Sequence, residues 1–319
     1  MRLRVVHDTR YHYAPAATSA LHMAHLTPPH TGRQQRIDHR LEIHPKPLTR
    51  SETADIYRNQ RVFFEIASPH DELLVRASSL LDTRMPELAE SRLAWEAVRE
   101  AFVYRAGSAW HPAAEFVYPS IHVHPGAVFA DYARPSFTPG RPLLESACEL
   151  MQRVNQDFHY VSGSTEINTP AAQALAERRG VCQDFSHVML ACLRSLGLPA
   201  RYVSGYLLTQ PPPGQPRLIG SDASHAWVSV FLPDLAAASG GHGWYDLDPT
   251  NARHGWGTPG EDFVRLAVGR DYDDVSPLRG VIQGSGNNTL TVGVTVQPCD
   301  AASLAAAPPL ASPFTLAPS

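Results

Sequence analysis

The sequence predicts an α+β fold, with an N-terminal β-sandwich-like domain followed by a core in which helices pack on an antiparallel sheet. Three observations point there. Apolar residues alternate with polar ones over short runs in roughly the first 80 residues, helical spacing of three and four runs from Leu143 to Leu196, and a period of two returns from Arg201. Helices that precede strands, instead of alternating with them, give an α+β order.

The runs Leu3-Val5, Tyr11-Tyr13, Leu41-Ile43 and Val62-Phe64-Ile66 are separated by Pro, Gly, Asn and Asp, as antiparallel strands joined by turns would be. Such a series predicts a sandwich. A short helical pattern over 94–102 leads into a Pro- and aromatic-rich connector, 110–142, expected to pack on both domains. Leu144, Ala147, Cys148, Met151 and Val154 then mark a helix over 143–158. Thr169-Pro170 has the form of a cap followed by proline at the first helical position, opening a second helix that ends near Gly180. A third carries Cys182, Phe185, Val188, Met189, Cys192, Leu193 and Leu196 on one broad apolar face and stops at Gly197 and Pro199. Strands are expected at 201–208, 225–232, 243–247, 280–283 and 290–296. The tail is mostly Ala, Pro and Ser, too poor in apolar bulk to fold. The expected division is 1–142 for the β-rich domain and connector, 143–298 for the core, and 299–319 for a disordered tail.

With 43% apolar and 18% charged residues, the 319-residue chain has the make-up of an ordinary globular protein. A formal charge of −4 argues against a protein that neutralises many phosphates, so nucleic acid is not an expected partner. Arg2 and Arg4 break the first apolar run too early for a signal peptide, and no stretch is apolar for long enough to span a bilayer. No membrane association is expected, and the cytosol is the expected compartment. The four cysteines form no CxxC pair, which fits reduced thiols there. His122-Val123-His124 places two imidazoles on one face, yet there is no HExxH and no Cys/His knuckle; GxGxxG and Walker motifs are absent as well. No metal or cofactor is expected.

One cysteine stands apart. Cys182 lies two residues after Gly180 in the first turn of the third helix, where unpaired N–H groups and the helix dipole favour a thiolate, the nucleophilic form. Cysteine alone is as readily a small buried hydrophobe. A catalytic one also needs a base and a group that fixes the base's tautomer. His225 begins an alternating strand in Ser-His-Ala-Trp-Val, and Asp248 ends the next one in Trp-Tyr-Asp-Leu-Asp-Pro-Thr-Asn, with Pro249 stopping the ladder. Adjacent antiparallel strands can bring these two together beside the helix that bears Cys182. Asp246, two residues earlier on the same strand face, is expected to be a solvent-facing carboxylate. His187 sits about 140° around the helix from Cys182, a poor direct base. Gln183 and Asp184 could cap the helix start or line a cleft.

Five ordered blocks, Gly-Val-Cys-Gln-Asp-Phe-Ser-His (180–187), Gly-Leu-Pro-Ala-Arg-Tyr-Val-Ser-Gly-Tyr-Leu (197–207), Ser-His-Ala-Trp-Val (224–228), Asp-Leu-Asp-Pro-Thr-Asn (246–251) and the segment 268–280, resemble the bacterial transglutaminase-like superfamily, whose members include candidate cysteine proteases. Asp-Ile-Tyr-Arg-Asn-Gln-Arg-Val (55–62) is similar to part of its β-rich leader domain. The resemblance implies a papain-like, transglutaminase-like core, with Cys182 as nucleophile, His225 as base and Asp248, not Asp246, as its acidic partner. Tyr160, Gln183 and Trp227 are the candidates for substrate contact or a second oxyanion donor. One position departs from the pattern: Ser229 stands where similar proteins often carry glutamate, which puts in doubt whatever contact that glutamate makes. The implied activity is acyl transfer through a Cys182 thioester from an amide or isopeptide, with hydrolysis of a peptide or protein substrate favoured. Crosslinking or transfer to an amine is the alternative, and a non-catalytic binding module of the same fold is a further one.

Overall fold

The computed structural model describes residues 1–107, 109–163, 167–209, 224–239, 241–284 and 286–299. Six strands come first: β1 (Arg2–Ala17), β2 (Ser19–Thr27), β3 (Gln34–His44), β4 (Thr49–Ala54), β5 (Gln60–Ile66) and β6 (His70–Thr83). Along β1, Leu3, Val5, His7 and Thr9 turn inward while their neighbours stay partly exposed, the half-buried alternation of a sandwich strand. Next come α1 (Trp95–Ala101), α2 (Ala127–Ala133), α3 (Leu143–Asp157), the two-residue β7 (His159–Tyr160), α4 (Ala171–Glu177), the two-residue β8 (Arg179–Gly180) and α5 (Cys182–Ser195). The chain continues through β9 (Ala200–Leu207), β10 (Ser224–Phe231), α6 (Pro233–Ala238), β11 (Trp244–Asp248), β12 (Arg253–Trp256), β13 (Phe263–Gly269), α7 (Tyr272–Val275), β14 (Leu278–Gln283) and β15 (Asn287–Pro298).

The sandwich is not finished by the N-terminal residues. Its two four-stranded sheets run β15-β1-β6-β3 and β14-β2-β5-β4, so the last two strands close the first domain. The strands expected at 280–283 and 290–296 exist, but they do not extend the core's sheet. The pairing explains why: without β15 the outer edge of β1 would expose a long row of unpaired backbone groups. β15 covers that edge from Leu3 opposite Pro298 to Ala14 opposite Asn287. The tail beyond Cys299 lies outside the described residues.

In the core, α5 is the central rod. Val188, Met189, Leu190, Ala191, Cys192 and Leu193 are all fully buried, as expected of a helix that is apolar nearly all round. The helices α2, α3 and α4 flank α5, and β9 and β10 pack against it. The sheet order is β12-β11-β10-β9-β13, antiparallel throughout. Gly197 adopts φ of 75° after α5 and Leu198 N–H returns to the Leu193 carbonyl, which ends the helix where Gly197 and Pro199 predict. The second helix is shorter than expected: Pro170 occupies its cap position without a side-chain cap bond, and it stops at Glu177. The connector does join both regions, since the Phe116 ring lies 5.2 Å from Tyr57 of the β4–β5 turn and 5.2 Å from Trp244 of β11. No described helix is long and apolar enough to cross a membrane.

Candidate active site

The parallel pair β7–β8 sets Tyr160 beside Gly180, immediately before α5. A Cβ at Gly180 would lie 2.6 Å from the Asp184 side chain, so glycine is required for the close turn. Asp184 uses that closeness: its Oδ2 accepts the Val181 N–H at 2.8 Å, so it caps the helix start and is itself buried. Cys182 thereby becomes the first helical residue after the cap residue Val181, half-buried and facing a cavity.

Along β10, Ala226, Val228 and Val230 belong to the core shared with α5, so His225, Trp227 and Ser229 lie on the other face. The register sets Val228 opposite Leu247, which makes Asp248 a diagonal neighbour of His225. His225 Nε2 donates to Asp248 Oδ2 at 2.8 Å, leaving Nδ1 as the ring nitrogen available to the thiol. Both side chains are buried. Burial by itself would lower the His225 pKa; the charge and hydrogen bond of Asp248, joined by the hydrogen bond and charge of Cys182, outweigh it and push the imidazole up to about 10. The ring is wedged between Trp227, at 6.1 Å and nearly parallel, and Phe263 at 5.7 Å.

Asp248 has every lone pair engaged. Oδ1 accepts the backbone N–H of Thr250 at 2.9 Å and of Asn251 at 3.3 Å, and Oδ2 accepts the Asn251 side-chain amide at 2.8 Å. Asn251 Nδ2 also lies 3.4 Å from His225 Nε2, and Asn155 on α3 fixes the loop by donating to the Pro249 and Thr250 carbonyls at 3.1 and 2.7 Å. Sequence reasoning missed Asn251 and Asn155 as positioning residues. An aspartate that accepts N–H groups two and three residues on is an Asx turn, and Asp-Pro-Thr-Asn carried that signal for Asn251; nothing local carried it for Asn155.

The structure thus brings Cys182, His225 and Asp248 together. A cavity of about 360 Å³ opens over Cys182 and His225, with Tyr160 and Gln183 on its rim. Tyr160 is 51% exposed, and Gln183 Nε2 donates to the Ile167 carbonyl at 3.0 Å. Trp227 is only 1% exposed and lies under the His225 ring, outside the cavity lining. Gly205 makes room for it, since a Cβ there would meet the Trp227 ring at 2.6 Å. The far wall belongs to the sandwich, through His7, Thr9 and Tyr11 of β1 and Leu290 and Val292 of β15. His7 Nδ1 bonds the Tyr206 hydroxyl at 2.9 Å, and burial lowers its pKa to about 4 despite the nearby Asp8, so the neutral ring anchors this wall.

Asp246 corrects an expectation. It is 1% exposed, not solvent-facing, because the outer face of the core sheet is covered by the sandwich turns as well. Its Oδ1 accepts the Ser229 hydroxyl directly across the strand pair. On β10 this chain has the short Ser229, with the carboxylate one strand over on β11. His187 is buried, stacked at 5.4 Å on His122, and its Nε2 accepts the Tyr272 N–H at 3.3 Å, away from the thiol chemistry. His124 is exposed. Among the described residues no three His, Cys, Asp or Glu side chains are grouped to hold a metal.

Comparison with known proteins gives the family. The profile of the Transglutaminase-like superfamily matches residues 130–249, and that of the Bacterial transglutaminase-like N-terminal region matches 3–82. An uncharacterized protein of Mycobacterium tuberculosis H37Rv is 42% identical over 306 residues, 93% of each chain. One from Mycobacterium leprae is 34% identical over 300 residues, 92% of this chain and 98% of its own. A protein-glutamine gamma-glutamyltransferase of Pseudomonas aeruginosa is 30% identical over 140 residues, 41% of this chain and 19% of the relative. The crystal structure of a candidate cysteine protease from Cytophaga hutchinsonii superposes with a TM-score of 0.70 at 21% identity, covering 94% of this chain and 91% of that one.

Proposed function

The chain belongs to the transglutaminase-like superfamily, and from that membership we propose a thiol-dependent acyl-transfer enzyme that hydrolyses an amide or isopeptide bond in a peptide or protein. The observation that carries the reading is the buried His225–Asp248 contact at 2.8 Å beside a thiol at a helix start. In the proposed cycle His225, its pKa raised, already holds the thiol proton when the Cys182 sulfur attacks the substrate carbonyl carbon. The oxyanion forms within reach of the Cys182 backbone N–H, one of the unpaired donors of the α5 N-terminus, and Tyr160 and Gln183, which line the cavity, are the candidates for a second donor. As the carbon–nitrogen bond breaks, His225 returns its proton to the leaving amine, and a thioester remains. Water then attacks, His225 accepts its proton, and the acid departs as the thiol is restored. Asp248 holds the ring and offsets its positive charge throughout.

The test is to quench a reaction with a panel of peptide amides and map the modified peptide by mass spectrometry. A substrate-derived acyl group on Cys182 is the expected result, and a panel that leaves no adduct and no product would favour a binding module. Transfer to an amine is the second reading, prompted by the Pseudomonas relative, a protein-glutamine gamma-glutamyltransferase. Adding a primary amine and measuring the partition of product between acid and amide separates the two.

A further inference from the structure

A larger cavity, about 680 Å³, lies between the outer face of the core sheet and the sandwich turns, and shares no lining residue with the catalytic one. Its lining is strongly basic. Arg201 of β9 and Arg265 of β13 come from the sheet, Trp244 and Trp256 from the neighbouring strands, and Arg58 and Arg84 from the sandwich side. Arg58 and Arg84 are exposed, placed to draw in anions from solvent.

The two inner arginines are short of partners. The Nε of each is buried with no hydrogen-bond partner, and among the described residues neither guanidinium makes an ion pair. The carboxylate that influences both is Asp246, whose Oδ1 is taken by Ser229 and whose Oδ2 is also buried without a partner. Two partly buried cations against one carboxylate leave a net positive charge in the cavity wall. Burial and the repulsion of Arg265 lower the Arg201 pKa to about 9 despite the attraction of Asp246, and burial lowers Arg265 as well. A charge partly withdrawn from water and without a counter-ion is costly, and an added anion relieves that cost. The Arg201 guanidinium lies 4.2 Å from the Trp244 ring centroid, so its fork is pre-oriented instead of loose. Planar forks of this kind match carboxylate and phosphate oxygens in pairs, and the volume is within the usual range for a small-molecule site.

We propose that this cavity is a binding site for a small organic oxyanion, its phosphate or carboxylate head held by Arg201 and Arg265 and its body against Trp244 and Trp256. The ligand lies across the join between the two halves of the molecule, bridging sheet and turns. Isothermal titration calorimetry of the full chain with phenyl phosphate and with benzoate tests this, with benzyl alcohol as the uncharged control. The expected result is saturable binding of at least one anion and none of the alcohol. The head group that binds more tightly identifies the ligand class. Binding should weaken at least tenfold in Arg201→Gln and in Arg265→Gln and be unchanged in Cys182→Ala. Should a glutamine variant fail to fold, wild-type protein decides the matter by phenylglyoxal labelling and peptide mapping: the anion should shield Arg201 and Arg265 and leave the exposed Arg92 reactive. Absence of binding by both anions, binding that survives both substitutions, or labelling of Arg201 and Arg265 that the anion does not change would overturn the site.

Discussion

Strand β11 carries two carboxylates on one face, Asp246 and Asp248, both buried and only two residues apart. At one end Asp248 accepts four hydrogen bonds from His225, Thr250 and Asn251. At the other Asp246 accepts the Ser229 hydroxyl and keeps an unpartnered oxygen near two arginines that are also short of partners. Burial therefore does not by itself separate the carboxylate proposed as catalytic from the other. What separates them is completeness: a full hydrogen-bond shell fixes the Asp248–His225 geometry, while the open shell around Asp246 leaves capacity for something outside the chain.

The comparison can be broken in order of effect. Replacing Cys182 by Ala should cut turnover of an amide reporter by about six orders of magnitude, the scale of losing a nucleophile. Asp248→Asn should preserve the fold and reduce kcat by about four orders, since an amide can hold His225 in the wrong tautomer. The same variant has a thermal signature. Because the folded His225 pKa is raised from 6.5 to about 10, its stabilising contribution is complete below about pH 6.5 and is lost as pH rises towards 10. Wild-type Tm should fall across that window, and Asp248→Asn should flatten the fall. Removing one shell member, Asn251→Ala, should lower kcat roughly tenfold to a hundredfold with little change in KM, the cost of one hydrogen bond to a charged group. Asp246→Asn should leave turnover unchanged within assay error; a loss comparable to that of Asp248→Asn would mean the two carboxylates had been assigned the wrong way round. Alkylation sharpens the picture at the thiol. Brief iodoacetamide treatment at pH 6 with peptide mapping should label Cys182 first, Cys299 more slowly, and Cys148 and Cys192 hardly at all. Burial, with Glu145 adding to it, pushes Cys148 up to about 12, and burial raises Cys192 further.

The grouping of Cys182, His225 and Asp248 was readable because each sits at a punctuated place: a helix start after glycine, a strand start, and a strand end before proline. Local rules locate such positions without knowledge of what packs on them. The burial of Asp246 was not readable, because alternation within Trp244–Asp248 reports a face and says nothing of what covers it. Here the cover comes from Tyr57, almost two hundred residues earlier, and from connector residues such as Phe116. The destination of β14 and β15 was hidden for the same reason. Period two identifies a strand, whereas its partner is set by which edge elsewhere is open. Asn155 is a third case, a helix residue that acts on a loop about a hundred positions downstream.

The pairing of β15 with β1 also sets an order of events during synthesis. The first six strands emerge early, but the edges of β1 and β2 that take β15 and β14 stay open until residues 278–298 have been made. The nascent chain must carry an incomplete sandwich while the whole helical core forms beside it, a topology of high contact order that folds slowly and exposes strand edges meanwhile. The same strand delivers Leu290 and Val292 to the wall over Cys182, so the cleft takes its final shape only when the last strand docks. The thiol proposed as nucleophile is in this way kept without a finished binding site until residues 287–298 have been made.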